Sequence, residues 1–292
     1  MAFIDIKSLE IKMNKFILSG FHLSEILKHQ NEAFDISLDL GMSKSKIIWE
    51  GEHLIFPGGQ ELDINTIKKA NKRGNHDCFL LENNSLYFIY IFENQTAYKL
   101  YEPHIDYPPT LWINGSVMHT ISVSNPVEDA KNKVKLFGEI SGEVLDTCFG
   151  LGYTAIELKN AGADKVYTYE ISKAVLEIAK VNPWSREAFS SNKILIHNTD
   201  IIPTIKKFSE EKFSFILHDP PNIKINGDLY SLAFYKELYR VLERGGVLYH
   251  FVGGGRAPKE YRVDYTKGVI KRLYAVGFRK ALKSYEGVLA YK

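Results

Sequence analysis

Four carboxylates stand at matching places in the second half of the chain. Asp146 closes "VLD", Glu170 closes "VYTYE", Asp200 closes "ILIHNTD" and Asp219 closes "FSFILHD". Each ends a short apolar run. After Asp146 comes "TCFGLGYTA", a loop with Gly150 and Gly152 that leads into a helical pattern. Glycines here let the backbone turn sharply and let a ligand approach it closely. A dinucleotide fingerprint would need a third glycine, and Ala155 stands in its place. Glu170 lies at the end of the next strand, about 20 residues past the glycines, where a carboxylate holds the two hydroxyls of a ribose. At the end of the third strand, Asp200 can accept a hydrogen bond from an adenine amino group. Three acids at three successive strand ends point to an adenosine-bearing ligand.

Asp146 decides between two such ligands. An acid beside the loop repels a pyrophosphate, which wants a tight glycine turn at a helix N-terminus. The same acid suits the ammonium and sulfonium of S-adenosylmethionine (SAM). The expected cofactor set is Asp146, Gly150, Gly152, Glu170 and Asp200, with the neighbouring Tyr153 and Ile171.

The fourth acid opens "DPPN". Pro220 and Pro221 fix φ and withhold N–H donors. The stretch therefore offers acceptors: the Asp219 carboxylate and the carbonyls around it. Ligands of a doubly wound sheet lie beyond the carboxyl ends of the strands where strand order reverses, and the first and fourth strands flank that point. Acceptors there suit an amine whose nitrogen must face a methyl donor. The exocyclic amine of a nucleobase fits, because two acceptors on its hydrogens favour the pyramidal form that exposes the lone pair. Catalysis would rest on positioning and electrostatics. Asp219 and Pro220 are the expected catalytic residues.

These groups need elements to carry them. From Gly142 onward, short apolar strands alternate with helical patterns, as in "EVLDTC", "YTAIELKNAG", "KVYTYE" and "SKAVLEIAK". Repeated βα units predict an α/β fold with a mostly parallel, doubly wound sheet covered by helices on both faces. In "FRKALKSYEGVLAYK" two strands are separated only by a tight turn at Glu286-Gly287, so the last strand must run antiparallel. Before about residue 105 the pattern is mixed and β-rich. "HLSEILKHQ" reads as a helix, "KSKIIWEGEHLIF" as a hairpin turning at Gly51, and "DINTIKKANK" as a helix capped by Asp63. "CFLLENNSLYFIYIFENQTAYKLYE" reads as three strands. The expected division is an accessory domain at 1–105 and a catalytic domain at 106–292, the latter opened by a hairpin at Asn114-Gly115 and a helix in "NPVEDAKNKVKLF".

Bulk properties narrow the classes. The 292 residues carry a net charge of +2 and 45% hydrophobic residues, so any nucleic-acid role must come from a local patch. Two cysteines and nine histidines form no cluster with metal-ligand spacing, so no metal is expected. With its cysteines unpaired, the chain reads as a reduced, cytoplasmic protein. "MAFIDIKSLEIKMNKF" reads as neither a signal peptide nor a membrane span. "GGGR" at Gly253 to Arg256 lacks the Lys-Ser/Thr of a P-loop. Cys148 sits inside the cofactor loop and is not cast as a nucleophile.

Residues 142–292 resemble a class I SAM-dependent methyltransferase, with "VLDTCFGLG", Glu170, "NTD" and "HDPPN" as successive motifs. More closely, "VLDTCFGLGYTAIE", "VNPWSREAF", "HDPPN" and "FYKELYRVLERGG" resemble a group of predicted archaeal methyltransferases distantly related to spermidine synthases. That resemblance extends upstream through "TLWINGSVMH". It implies a Rossmann-like methyltransferase sheet and a transferase using SAM. The amino-methyltransferase motif "[D/N]PP[Y/F/W]" ends in an aromatic that stacks on a flipped base, and Asn222 stands in that position here. Tyr230, Phe234, Tyr235 and Trp184 are other aromatics near the motifs. The expected substrate contacts are Asn222, Tyr230, Arg256 and Lys259.

The leading substrate is structured RNA, tRNA first, with rRNA as the other candidate. Lys/Arg gather between Gly253 and Lys283 against Glu260 and Asp264 alone, and Lys68, Lys69, Lys72 and Arg73 form a second cluster. A small-molecule amine is the alternative acceptor. Another is a spermidine-synthase-like aminopropyl transfer from decarboxylated SAM, although such enzymes carry a "GGGxG" loop where this chain reads "DTCFGLG". A non-catalytic SAM- or RNA-binding module is the alternative of a different class. Retention of Asp146, Glu170 and Asp219 argues against it.

Overall fold

The structure, a computed structural model, describes residues 15–119, 121, 124–252 and 264–292. The fold has two compact units. The first takes the chain up to Pro126 together with Ala174–Arg186, and the second takes Val127–Lys173 and Glu187–Lys292.

The first unit carries three small antiparallel sheets. β1 (Phe16–Ser19), β6 (Cys78–Glu82) and β7 (Ser85–Phe88) form one. The second joins β2 (Ala33–Ile36), β3 (Ser45–Glu50), β4 (His53–Ile55) and β5 (Glu61–Asp63). In the third, β8 (Tyr90–Glu93), β9 (Thr96–Tyr101), β10 (Thr110–Ile113) and β11 (Ser116–Val117) pair in the order β11-β10-β9-β8. Helices α1 (Gly20–Lys28) and α2 (Ile64–Asn71) also belong to it. Asp63 caps α2 by accepting from Asn65 N and Thr66 N. Leu18, Leu23, Ile26, Ile47, Leu54 and Phe79 form its buried core. The segment expected to make three strands makes four, β6 to β9. "SLYFIYIFE" contains no turn residue, yet Ile89 leaves the ladder to donate its N–H to Cys78 O, and the run divides between two sheets.

The second unit is built on one seven-stranded sheet. α3 (Pro126–Lys135) leads into β12 (Glu143–Asp146), α4 (Tyr153–Asn160) and β13 (Lys165–Tyr169). α5 (Lys173–Val181) follows in the chain but lies almost wholly in the first unit, and the second resumes with α6 (Arg186–Ser190), β14 (Ile194–His197), α7 (Ile201–Thr204) and β15 (Phe213–His218). The chain ends with α8 (Leu232–Val241), β16 (Leu242–Phe251), α9 (Thr266–Val276), β17 (Lys280–Ser284) and β18 (Gly287–Tyr291). The sheet order is β14-β13-β12-β15-β16-β18-β17, and β18 alone runs antiparallel, inserted between β16 and β17. This is the mostly parallel Rossmann-like methyltransferase sheet the sequence predicts, with its last strand reversed. The tight turn that forces the reversal lies at Tyr285-Glu286, where Tyr285 has φ 48°.

Burial explains the strand grammar. Phe213, Ser214, Ile216, Leu217 and His218 of β15 are all buried, as a strand covered on both faces requires. Leu145, Phe213, Ile216, Tyr235, Leu238 and Val269 belong to one apolar core. Each such side chain contributes about 1.5–3 kcal/mol. Strand order reverses between β13 and β15, on either side of β12, so the carboxyl ends of β12 and β15 flank a crevice by topology. Among the described residues no helix is long and apolar enough to cross a membrane.

Candidate active site at the strand ends

Backbone bonds pin the glycine loop to both neighbouring strands. Thr147 N donates to Leu217 O at 3.0 Å, and Phe149 N donates to Tyr169 O at 2.7 Å. Phe149 is buried beneath the loop. Gly152 has φ 79° and a Cβ there would lie 2.5 Å from the Phe149 ring, so that position is reserved for glycine by geometry and space. Gly150 has φ 55°, and a Cβ on it would meet nothing within 4 Å. The loop is closed behind Gly152 and open at Gly150. Tyr153 is buried in the first turn of α4, whose N-terminus has no side-chain cap.

Asp146 is fully buried. Its Oδ2 accepts from Thr168 Oγ1 at 2.8 Å and Thr154 Oγ1 at 3.2 Å, whereas Oδ1 has no hydrogen-bond partner. Burial pushes its carboxyl up to about 7, against the two threonine bonds. An orphaned buried oxygen behind an open loop is what a cationic group would satisfy. Glu170 is half-buried. Its Oε2 accepts from Gly150 N at 3.1 Å and its Oε1 from Ser172 N at 2.9 Å, and burial pushes its carboxyl up to about 7. With the backbone of Ile171 also acting on the carboxylate, Glu170 retains acceptor capacity for a ligand hydroxyl. Ile171 follows with 68% of its surface exposed, an apolar face beside the acid. Asn198 Nδ2 donates to Glu170 O at 2.7 Å and ties the end of β13 to that of β14. Asp200 caps α7, accepting from Ile202 N at 2.8 Å, so part of its carboxylate serves the helix.

Asp219 has company that the sequence did not announce. Lys133 of α3 places Nζ 2.6 Å from Asp219 Oδ2 and 2.6 Å from Asp129 Oδ2. Tyr285 OH donates to Asp129 Oδ1 at 3.0 Å, and the Lys133 ammonium lies 4.3 Å from the Phe251 ring centroid. The Lys133 side chain is 4% exposed and that of Asp219 is 21%. Asp219 and Asp129 hold Lys133 in its charged form against the opposing effect of burial. Burial pushes the Asp219 carboxyl up, and Lys133 opposes that shift.

The acceptor stretch is accordingly less free than its sequence suggests. Lys133 takes one oxygen of Asp219, and Tyr230 OH donates to Pro221 O at 3.1 Å. Tyr230 is buried, with its ring against His218 and His250, so it braces the diproline rather than presenting a face. Phe234 and Tyr235 are buried as well. Trp184 belongs to the first unit, where its Nε1 donates to Leu40 O at 2.8 Å. Asn222 is exposed, and its side-chain oxygen accepts from Lys224 N at 3.0 Å, closing a local turn. Arg256 and Lys259 lie outside the described residues.

Beneath Asp219 sits a neutral histidine pair. His218 accepts at Nδ1 from Thr147 Oγ1 (2.7 Å) and donates from Nε2 to Leu229 O (3.0 Å). His250 accepts at Nε2 from Tyr235 OH (2.7 Å) and donates from Nδ1 to Phe251 O (2.7 Å). Burial holds His218 down at about 3 and His250 well below the usual range. Both rings are therefore uncharged scaffolding for the strand ends. Burial pushes the half-buried Cys148 thiol well up, out of nucleophile range. Among the described residues no cluster of His, Cys, Asp or Glu is arranged to hold a metal.

Fold and strand order define a Rossmann-like protein of the kind shared by SAM-dependent methyltransferases and spermidine synthases. The chain belongs to the family of "Uncharacterized protein MJ1233" of Methanocaldococcus jannaschii, to which it is 43% identical over 277 residues, 92% of each chain. It is also 29% identical over 144 residues to the polyamine aminopropyltransferase of Thermoplasma volcanium, a match over 48% of this chain and about half (50%) of that one. Among solved structures, a spermidine synthase in complex with the transition state analogue AdoDATO matches with a TM-score of 0.56 and 19% identity. The spermidine synthase of Thermotoga maritima matches at 0.54 and 18%. Each match covers 72% of this chain and 75% of the other. No protein-family model matches the chain.

Proposed function

We propose that the protein is a SAM-dependent methyltransferase acting on nitrogen, with an exocyclic amine of RNA, tRNA or rRNA, as its acceptor. The observation that carries this reading is the grouping of Asp146, Glu170 and Asp219 at the carboxyl ends of three adjacent parallel strands, around a loop open at Gly150. Bound SAM supplies an electrophilic methyl on a sulfonium. Glu170 would accept from the ribose hydroxyls with the acceptor capacity that its backbone donors leave unused. Asp146 Oδ1 provides negative charge for the cationic part, and Ile171 an apolar surface for the adenine. Asp219 Oδ1 accepts from the substrate N–H and orients the nitrogen lone pair, so its effect is one of positioning.

Local positive charge supports the RNA assignment. Lys68, Lys69 and Lys72 are exposed at the end of α2, and the basic tract from Arg256 to Lys283 follows β16 in sequence. A second reading, aminopropyl transfer from decarboxylated SAM, is favoured by the likeness of fold to spermidine synthases. Mass spectrometry of RNA nucleosides from cells with and without the protein tests the first reading. It expects one methylated nucleoside to vanish without the protein. Unchanged nucleosides, together with transfer to a free amine, would overturn it.

A further inference from the structure

A buried lysine at the tip of a candidate catalytic carboxylate changes what that carboxylate can bind. We infer that Lys133 is a specificity-determining residue: its ammonium occupies the place beside Asp219 that a protonated amine would take, so the site admits a neutral nitrogen and rejects di- and polyamine cations. This rests on the methyltransferase reading above and names the ionic state of its acceptor.

The geometry carries the inference. Lys133 Nζ is shared between Asp219 Oδ2 and Asp129 Oδ2 at 2.6 Å each. Without it, two carboxylates would face one another with no counter-ion, which is the arrangement that attracts an ammonium. With it, the pair is neutralised down to a single negative charge spread over three groups. The remaining contacts fix the ammonium in place. Tyr285 OH occupies the other oxygen of Asp129, and the Phe251 ring covers the lysine. Asp129 is buried, so Asp219 is the member of the trio that reaches the surface. A cation arriving at Asp219 would meet the fixed charge of Lys133 one hydrogen bond behind it, and like charges at such separation disfavour binding. A neutral N–H donor meets no such penalty and still finds Oδ1. The aromatic amine of a base is uncharged at neutral pH, and an aliphatic polyamine is not.

Calorimetric titration with spermidine, performed on the protein alone and again with S-adenosylhomocysteine, tests this directly. Wild type should give no saturable spermidine binding. Lys133→Met should gain it by at least tenfold over wild type, and Lys133→Arg, which keeps the charge, should not. Should Lys133→Met fail to fold, the double variant Lys133→Met/Asp129→Asn, which removes one charge of each sign but frees Asp219 of its lysine, should show a smaller gain in the same direction. Saturable spermidine binding to wild type that is lost in Asp219→Asn overturns the inference, as does equal affinity in wild type and the folded methionine variant. Titration of wild type with SAM in the same series keeps the two ideas apart. Loss of SAM binding sinks the methyltransferase reading, whereas the spermidine comparison judges Lys133 alone.

Discussion

The backbone N–H of Gly150 donates to Glu170 Oε2 across 3.1 Å. The glycine loop after β12 and the acid at the end of β13 are therefore one assembly, and a ligand that engages either feels both. Opposite them, Asp219 is anchored to α3 through Lys133. The half of the site proposed to hold SAM is thus tied to the sheet itself, and the half proposed to face the acceptor is tied to α3. Changes to the two halves should have separable effects.

Glu170→Ala should weaken SAM binding about ten-fold or more, because a charge-assisted hydrogen bond is worth roughly 1.5–3 kcal/mol. Loop ordering through Gly150 is lost at the same time. The strand itself ends at Tyr169, so circular dichroism and the melting temperature should stay near wild type. Calorimetry giving wild-type affinity in the folded variant would contradict the placement of the ribose.

SAM affinity should depend on pH through Asp146 and Glu170, both pushed up to about 7 by burial. These folded values lie above the ordinary carboxylate values near 4. The stability each group contributes by being buried neutral is complete below about pH 4 and is lost as pH rises through about 7. A cationic, diol-bearing ligand needs the ionised forms, so affinity should rise from about pH 6 to about pH 8, with protons released on binding. Calorimetry in buffers of different ionisation enthalpy measures that release. Binding without proton exchange across this range would show that neither carboxyl is coupled to the ligand.

The two loop glycines should respond differently to the same substitution. Both have positive φ, which costs an alanine roughly 1–2 kcal/mol. Gly152→Ala adds a clash with Phe149 at 2.5 Å, so its melting temperature should fall further than that of Gly150→Ala. Gly150→Ala places its methyl in the open space of the loop and should lose SAM affinity while remaining folded. Wild-type SAM affinity in Gly150→Ala would mean that the ligand does not approach the loop there.

Asp219→Ala should leave SAM affinity within a few-fold of wild type but lower turnover by orders of magnitude, as for a group acting mainly in the transition state. Lys133 keeps Asp129 as its partner in this variant, so the fold should tolerate the loss. Turnover that survives would make the diproline stretch a structural loop entry.

Local pattern accounts for what the sequence reveals of this molecule. β12 and β15 are legible because a strand covered on both faces must be apolar throughout, and β18 because two residues cannot reverse a parallel connection. Asp146, Glu170 and Asp219 are legible because strand ends are adjacent in any such sheet. Lys133 is not, since its bond to Asp219 spans 86 residues and depends on how α3 packs. One signal was present: Asp129 and Lys133 are four apart in a helix, hence on one face, although most such pairs are solvated. The division of "SLYFIYIFE" at Ile89 has no local marker at all, because it follows from which sheet each half joins. The diproline acceptors show the same limit. Sequence counts the oxygens, and tertiary packing decides which of them are already taken.

Methyl transfer to RNA is tested by incubating the protein with isotopically labelled SAM and RNA prepared from cells that lack it, beside the same reaction with decarboxylated SAM. Label is expected on a nucleobase nitrogen with SAM and is expected to be lost in Asp219→Ala, with no aminopropyl product. An aminopropylated amine from decarboxylated SAM, with no methyl transfer from SAM to any RNA, would contradict that expectation.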